Sequence, residues 1–294
     1  MKVIPFVVVA DDYGISIDRS RGIIQSMLLG IVTNTSIMAN MDTAGQALDM
    51  LRSNGLLGRV GIHLNLTEGR PLSPASEISS LVDSDHMFLG KGAFHAACLN
   101  GEVQIEHVQT EVRAQIQWFI RNVGFPPVHV DSHQHVHVLP PLVGMLAVLL
   151  FDMGVTFVRT PAPAVPNRRQ PLCTVCSVVS SQAIAARKQF RAQGLWCLDA
   201  FVGLSFCGGS YTRTQVLDAV AAQVHAGARS IEMMTHPGFT EPTMLDPTLV
   251  SPQGLDSVGV SEDRHSELMV LCDPEFPIHL QPIVHLTQFT ALLS

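Results

Sequence analysis

Apolar and polar positions along the chain follow two alternating patterns. Short, nearly continuous apolar runs rich in β-branched residues occur at 3–10, 32–39, 59–66, 128–131, 155–159, 200–206 and 230–234. A run of that kind predicts a strand buried on both faces. Between them, apolar residues recur at helical spacing over 16–29, 43–52, 102–122, 142–153, 182–193 and 214–226, with further short helices predicted at 262–271 and 287–293. Gly30 and Gly227 stand where two of these helices should stop. Two stretches lack either period. Residues 67–92 are rich in Gly, Pro, Ser and Asp, and 161–171 hold four prolines, so both are expected to be loops, the second exposed.

Strands alternating with helices imply a parallel sheet with right-handed crossovers. The predicted architecture is a single-domain α/β chain over 1–294, a distorted (β/α) barrel-like fold with long loops on the carboxyl-end face. A barrel typically needs about 250 residues, which 294 residues accommodate. A doubly wound open sheet is the rival. In either arrangement the chemistry gathers at the carboxyl ends of the strands.

The polar residues fall there. The first strand runs into Asp11-Asp12-Tyr13-Gly14, and the third carries His63. The fourth leads into Asp131-Ser132-His133-Gln134-His135-Val136-His137, the fifth into Arg159, and the last clear one into Thr235-His236-Pro237-Gly238. In a regular strand Asp11 and Asp12 would face opposite ways, so both can serve one site only if the strand ends there, with Gly14 turning the chain. His133, His135 and His137, at alternate positions, are expected to share one strand face. Three imidazoles make a poor core, because each ring must find polar partners. Two neutral imidazoles and a carboxylate can hold a metal with positions left open. A second carboxylate can act as base, a late His as acid, and an Arg can orient the base.

Composition narrows the partners. The formal charge is −7, and no basic run reaches five residues, which argues against nucleic acid. The longest apolar run, 142–151, is far short of the roughly 20 residues of a membrane helix, and the N-terminal apolar run ends in two aspartates without a small-residue cleavage site. Cys98, Cys173, Cys176, Cys197, Cys207 and Cys272 are too sparse for a disulfide scaffold and read as reduced thiols of a cytoplasmic protein. Cys173 and Cys176 form one CxxC without the second pair that a zinc site wants, and are expected to be ordinary loop thiols.

Taken together, the motifs resemble the YdjC-like carbohydrate deacetylase family. The matching segments are Ala10-Asp11-Asp12-Tyr13-Gly14, Gly30-Ile31-Val32-Thr33-Asn34-Thr35-Ser36, Gly61-Ile62-His63-Leu64 through Thr67-Glu68-Gly69, the segment from Asp131 to His137, and Thr235-His236-Pro237-Gly238. They span Lys2 to about Gly238 in the family's order. The resemblance implies a distorted barrel, a divalent metal, commonly Mg2+, and hydrolysis of the acetamide of N-acetylglucosamine units in oligosaccharides. It implies metal ligands at Asp12, His63 and His133, the base at Asp11 and the acid at His236. The match at Arg159 is weaker, and its role is inferred from chemistry. His135 and His137 are expected near the substrate or behind the ligands. Ligand softness alone would favour Zn2+ or another transition ion. Another metal-dependent hydrolase, a sugar isomerase, or a non-catalytic sugar-binding protein stays open, as does a homodimer. The 161–181 segment, with Arg168 and Arg169, has no counterpart in the resemblance.

Overall fold

The computed structural model describes residues 3–165, 171–206, 211–239 and 261–293. Its elements follow the alternation read from the sequence. In chain order they are β1 (Ile4–Tyr13), α1 (Ile17–Leu29), β2 (Asn34–Ile37), α2 (Ala44–Ser53), β3 (Val60–Leu64), α3 (Lys91–Leu99), α4 (Ile105–Val123), β4 (His129–Ser132) and α5 (Pro140–Asp152). Then come β5 (Phe157–Val158), α6 (Thr174–Ala192), β6 (Ala200–Val202), α7 (Arg213–His225), β7 (Ile231–Thr235), α8 (Asp263–Leu271), α9 (Phe276–Leu280) and β8 (Val284–Leu286). No described helix is long and apolar enough to cross a membrane.

The strands pair in the order β5-β4-β3-β2-β1-β7-β6, all parallel. Between β5 and β6 a single bridge, Phe157 to Trp196, continues the ladder. Val158 N donates to the Trp196 carbonyl at 2.9 Å, and Trp196 N to the Thr156 carbonyl at 2.8 Å. This weak seam is what makes the barrel distorted. β8 pairs with Ile4–Phe6 of β1, while β2 pairs with β1 only from Val9 upwards. Strand β1 thus has different neighbours along its lower and upper halves.

Side chains on alternate strand positions fill the barrel or face the helices. Val7 and Val9 pack with Phe157, Leu198 and Phe289 as a plug at the amino end. His129 stacks on Phe289 with ring centroids 4.4 Å apart. The larger core lies between sheet and helices. A Cβ added to Gly61 would meet the His129 ring and carbonyl at 2.4–2.5 Å. Overpacking of this kind costs about 1–3 kcal/mol. Gly61→Ala is therefore expected to lower the unfolding free energy by that amount in a denaturant titration, and an unchanged value would show that His129 can move aside.

Several expectations are corrected. Residues 161–171 are not uniformly exposed, since Pro161 and Ala162 are buried; Arg168 and Arg169 lie outside the described residues. The helix expected to begin at 182 begins at Thr174, so Cys176 lies in a helix and Cys173 caps it. Residues 200–206 are strand only to Val202 and then a 3-10 turn. The end of the 67–92 loop enters α3, and 289–293 form a 3-10 turn. Strand β8 and helix α9 were not expected.

Candidate active site

Strand ends β1, β3, β4, β5 and β7 deliver the polar residues to one end of the barrel. Asp11 and Asp12 reach it by a route the strand pattern does not show. The strand does not end at Asp12. Its pairing shifts register between Ala10 and Tyr13, and Asp12 sits at φ 62°. This bulge rotates two adjacent carboxylates onto one site. A second departure follows β4. Gln134 and His135 have φ 54° and 58° within a 3-10 turn, so the three histidines do not share a strand face. His133 turns to the site and His135 lines the cavity. His137 is buried, hydrogen-bonded to Ser132 Oγ and, at 2.9 Å, to the Arg159 carbonyl. Positive φ at non-glycine residues costs about 1–3 kcal/mol each and clusters at functional sites.

Asp12, His63 and His133 converge, with donor atoms within 4.8 Å of one another. Asp12 Oδ1 lies 3.2 Å from His63 Nε2 and 2.9 Å from His133 Nδ1. Behind them, His63 Nδ1 is 2.7 Å from Asp131 Oδ1, and Ser36 Oγ donates to Asp131 Oδ2 at 2.9 Å. With its proton on Nδ1 toward that carboxylate, the ring would turn the Nε2 lone pair to the site. On the far side, Glu68 Oε1 lies 3.0 Å from His133 Nε2 and accepts from Gln134 Nε2 at 2.8 Å. Glu68 is placed by an Asx turn in which Asn65 Oδ1 accepts from the Thr67 and Glu68 backbone N–H groups.

Arg159, buried at 2% exposure, donates through two nitrogens to Asp11, through Nη2 to Asp131 at 2.7 Å, and through Nε to Glu232 at 2.5 Å. Burial raises the Asp11 carboxyl to about 7 against the pull of Arg159. Burial also works to raise Asp131, but Arg159 and His63 hold it below the usual carboxylate range. Asp12 is likewise held well below that range by His133 and His63 despite burial. The imidazoles respond in kind. Burial would lower His63, but Asp131 and Asp12 raise it to about 9, and Asp12 followed by Glu68 raises His133 well above its ordinary value. A cation taken up by these imidazoles would have to displace their protons.

Asp11, His63 and Asp131 also bring donors within 4.8 Å. Arg159 already occupies both of those carboxylates, and a dication beside a guanidinium would be repelled. Among the described residues the ion pairs of Asp12 are with His63 and His133, and this donor set, two imidazoles and a carboxylate, suits a divalent metal. The residues present fit the group.

His236 follows β7, and its backbone N–H donates to Glu267 Oε2 at 2.6 Å, which also accepts from Thr235 Oγ1 at 2.8 Å. Burial pushes His236 well below its ordinary pKa against Asp12, and Arg264 and Arg19 add to that push. Asp11, Asp12, His63, His133, His135 and His236 line a cavity of about 420 Å³, a size typical of small-ligand sites. The sequence patterns alone give no role to Glu68, Ser36, Asp131 or Glu232. Asp131 and Glu68 stand inside the quoted motifs, and Glu232 is the one carboxylate in the run Ile231–Thr235.

A parallel barrel with its polar cluster at the carboxyl edge of the strands defines the class of α/β barrels that carry their chemistry at strand ends. Within it, the chain belongs to the YdjC-like protein family, whose sequence profile matches residues 5–281. Relatives include the carbohydrate deacetylase of Mus musculus, 37% identical over 91% of this chain and 88% of its own length. That of Homo sapiens is 36% identical over 91% and 84%. The chitooligosaccharide deacetylase of Serratia marcescens is 30% identical over 84% and 87%. A crystal structure from Enterococcus faecalis V583, described under cellobiose-phosphate cleavage, superposes with a TM-score of 0.78 over 99% of each chain at 22% identity, and supports the fold.

Proposed function

We propose that this chain, as one domain over 1–294, removes the acetyl group from N-acetylglucosamine units of oligosaccharides in a metal-dependent hydrolysis. The relatives' sugar deacetylase names support the reaction. The convergence of Asp12, His63 and His133 on the lining of the cavity is the observation that carries the metal. Mg2+ is proposed from the family resemblance, with Zn2+ or another transition ion as the competitor that two imidazoles favour.

Asp12, His63 and His133 would hold the cation. When bound, it supplies Lewis-acid polarisation of the acetamide oxygen and acidifies a water. Asp11, with a pKa of about 7, is matched to take the proton of the attacking water. Arg159 keeps that carboxylate oriented. His236, which lines the same cavity, would give a proton to the leaving amine. Its ring is neutral at rest, so the proton it gives is one it first takes up, the proton that Asp11 removes from the water. His135 is placed to touch substrate. His137 supports the Arg159 backbone.

The test is metal analysis of the purified protein, then acetate release from N-acetylglucosamine oligomers with and without chelator. Acetate released only with metal is expected. Metal bound without turnover on any acetylated sugar would favour a sugar-binding protein or a different barrel enzyme. For His236→Ala, turnover on the amide is expected to fall about 10²–10⁴-fold with metal content unchanged. The loss should be smaller on an activated acetyl ester, whose leaving group needs no proton. Equal losses on both substrates would remove the acid role.

A further inference from the structure

The CxxC pair is not part of the metal corner, yet it lies on the same cavity. Cys173 is the N-cap of the 19-residue helix α6, with its Sγ accepting from the Cys176 N–H at 3.3 Å. The two sulfurs are 3.0 Å apart, and Cys176 Sγ also contacts the Leu204 carbonyl at 3.4 Å. Cys173 is exposed and Cys176 half-buried. Both line the cavity that holds Asp12 and His236, with Val175 and Val178 of the same helix turn. A bonded disulfide needs about 2.05 Å between sulfurs, so closure asks for about an ångström of side-chain movement within one helical turn.

We infer that Cys173 and Cys176 form a dithiol–disulfide couple at the wall of the catalytic cavity, reactive toward low-molecular-weight disulfides. This goes beyond the deacetylase reading and does not depend on it. The two sulfurs differ as an attacking and a resolving thiol should. Cys173 is open to solvent, and its contact with the Cys176 side chain and then the hydrogen bond from the Cys176 backbone N–H lower its thiol pKa, in the manner of thiols at helix N-termini. Cys176 is recessed behind it. In the reaction the Cys173 thiolate attacks one sulfur of a disulfide RSSR. The S–S bond breaks, and RS⁻ leaves and takes up a proton. The Cys176 thiol then gives its proton to solvent and attacks Cys173 Sγ, expelling the second RS⁻. The two cysteines lose two electrons together, and RSSR becomes two RSH.

The test equilibrates the full chain in glutathione buffers from fully reduced to fully oxidised, quenches with an alkylating reagent, and maps the thiols by mass. Cys173 and Cys176 are expected to become protected together, without retained glutathione. Cys176→Ser is expected to trap one glutathione on Cys173. Cys173→Ser is expected to leave Cys176 without it at the same buffer ratio. The idea is overturned if both thiols stay alkylatable in the oxidised buffer, or if wild type keeps glutathione on Cys173 unresolved. Deacetylase activity does not enter these readouts, so failure of the couple and failure of the proposed function are distinguishable.

Discussion

His133→Ala is expected to abolish metal content and acetate release together, whereas Asp11→Asn abolishes acetate release and keeps the metal. The difference follows from where each side chain points its donors. His133 Nδ1 is 2.9 Å from Asp12 Oδ1, and its loss removes one of the three donors proposed to hold the metal. Outer partners of metal ligands already cost 10–100-fold in affinity when removed, so a direct ligand costs more. Asp11 instead has both oxygens on Arg159. Its conversion to Asn removes a proton acceptor, and general base catalysis is typically worth about 10²–10⁴-fold. Metal analysis and an acetate assay on both variants decide the matter. Loss of metal from the Asp11 variant would mean that the two neighbouring carboxylates have exchanged roles.

The largest effect on stability is expected at Arg159. Its guanidinium is the shared counter-ion of Asp11, Asp131 and Glu232, and all four side chains are buried. Removing one partner of a buried ion pair typically costs about 3–5 kcal/mol, because the other charge is left uncompensated. That is a large share of the roughly 5–15 kcal/mol that holds a domain folded. Arg159→Met is expected to lose at least this much in a denaturant titration, together with all activity. Arg159→Lys should fall between, since an ammonium keeps the charge but cannot reach all three carboxylates with a planar fork. A methionine variant as stable as wild type would show that the carboxylates are neutralised from elsewhere.

Much of this arrangement was legible in the sequence. Strands β1, β3, β4 and β7 and helices α1, α2, α4, α5 and α7 coincide with continuous apolar runs or clear helical periods, because both faces of a barrel strand and one face of each helix are buried. What escaped was set by contacts or by backbone signs. The first turns of α6 hold Val175, Val178 and several serines, a composition poor in helix preference. β8 is three residues long and its partner lies at the other end of the chain. The alternation rule placed Asp11 and Asp12 on opposite faces and His133, His135 and His137 on one. A bulge at Asp12 and left-handed backbone at Gln134 and His135 reverse both outcomes. The motifs named the candidate ligands, but not that Glu232, in an apolar strand, completes the ring of carboxylates around Arg159.

The divided pairing of β1 bears on how the protein is made. Its upper half finds β2 within a few dozen residues of synthesis. Its remaining ladder waits for β7 and then for β8. At about 5–20 residues per second of translation, roughly 15–55 s pass between emergence of β1 and of β8. Through that interval β1, with its apolar run from Phe6 to Ala10, has an open edge, and unpaired edges invite association with other chains. The lower half of β1 therefore stays an unpaired edge until the last strand of the sheet arrives.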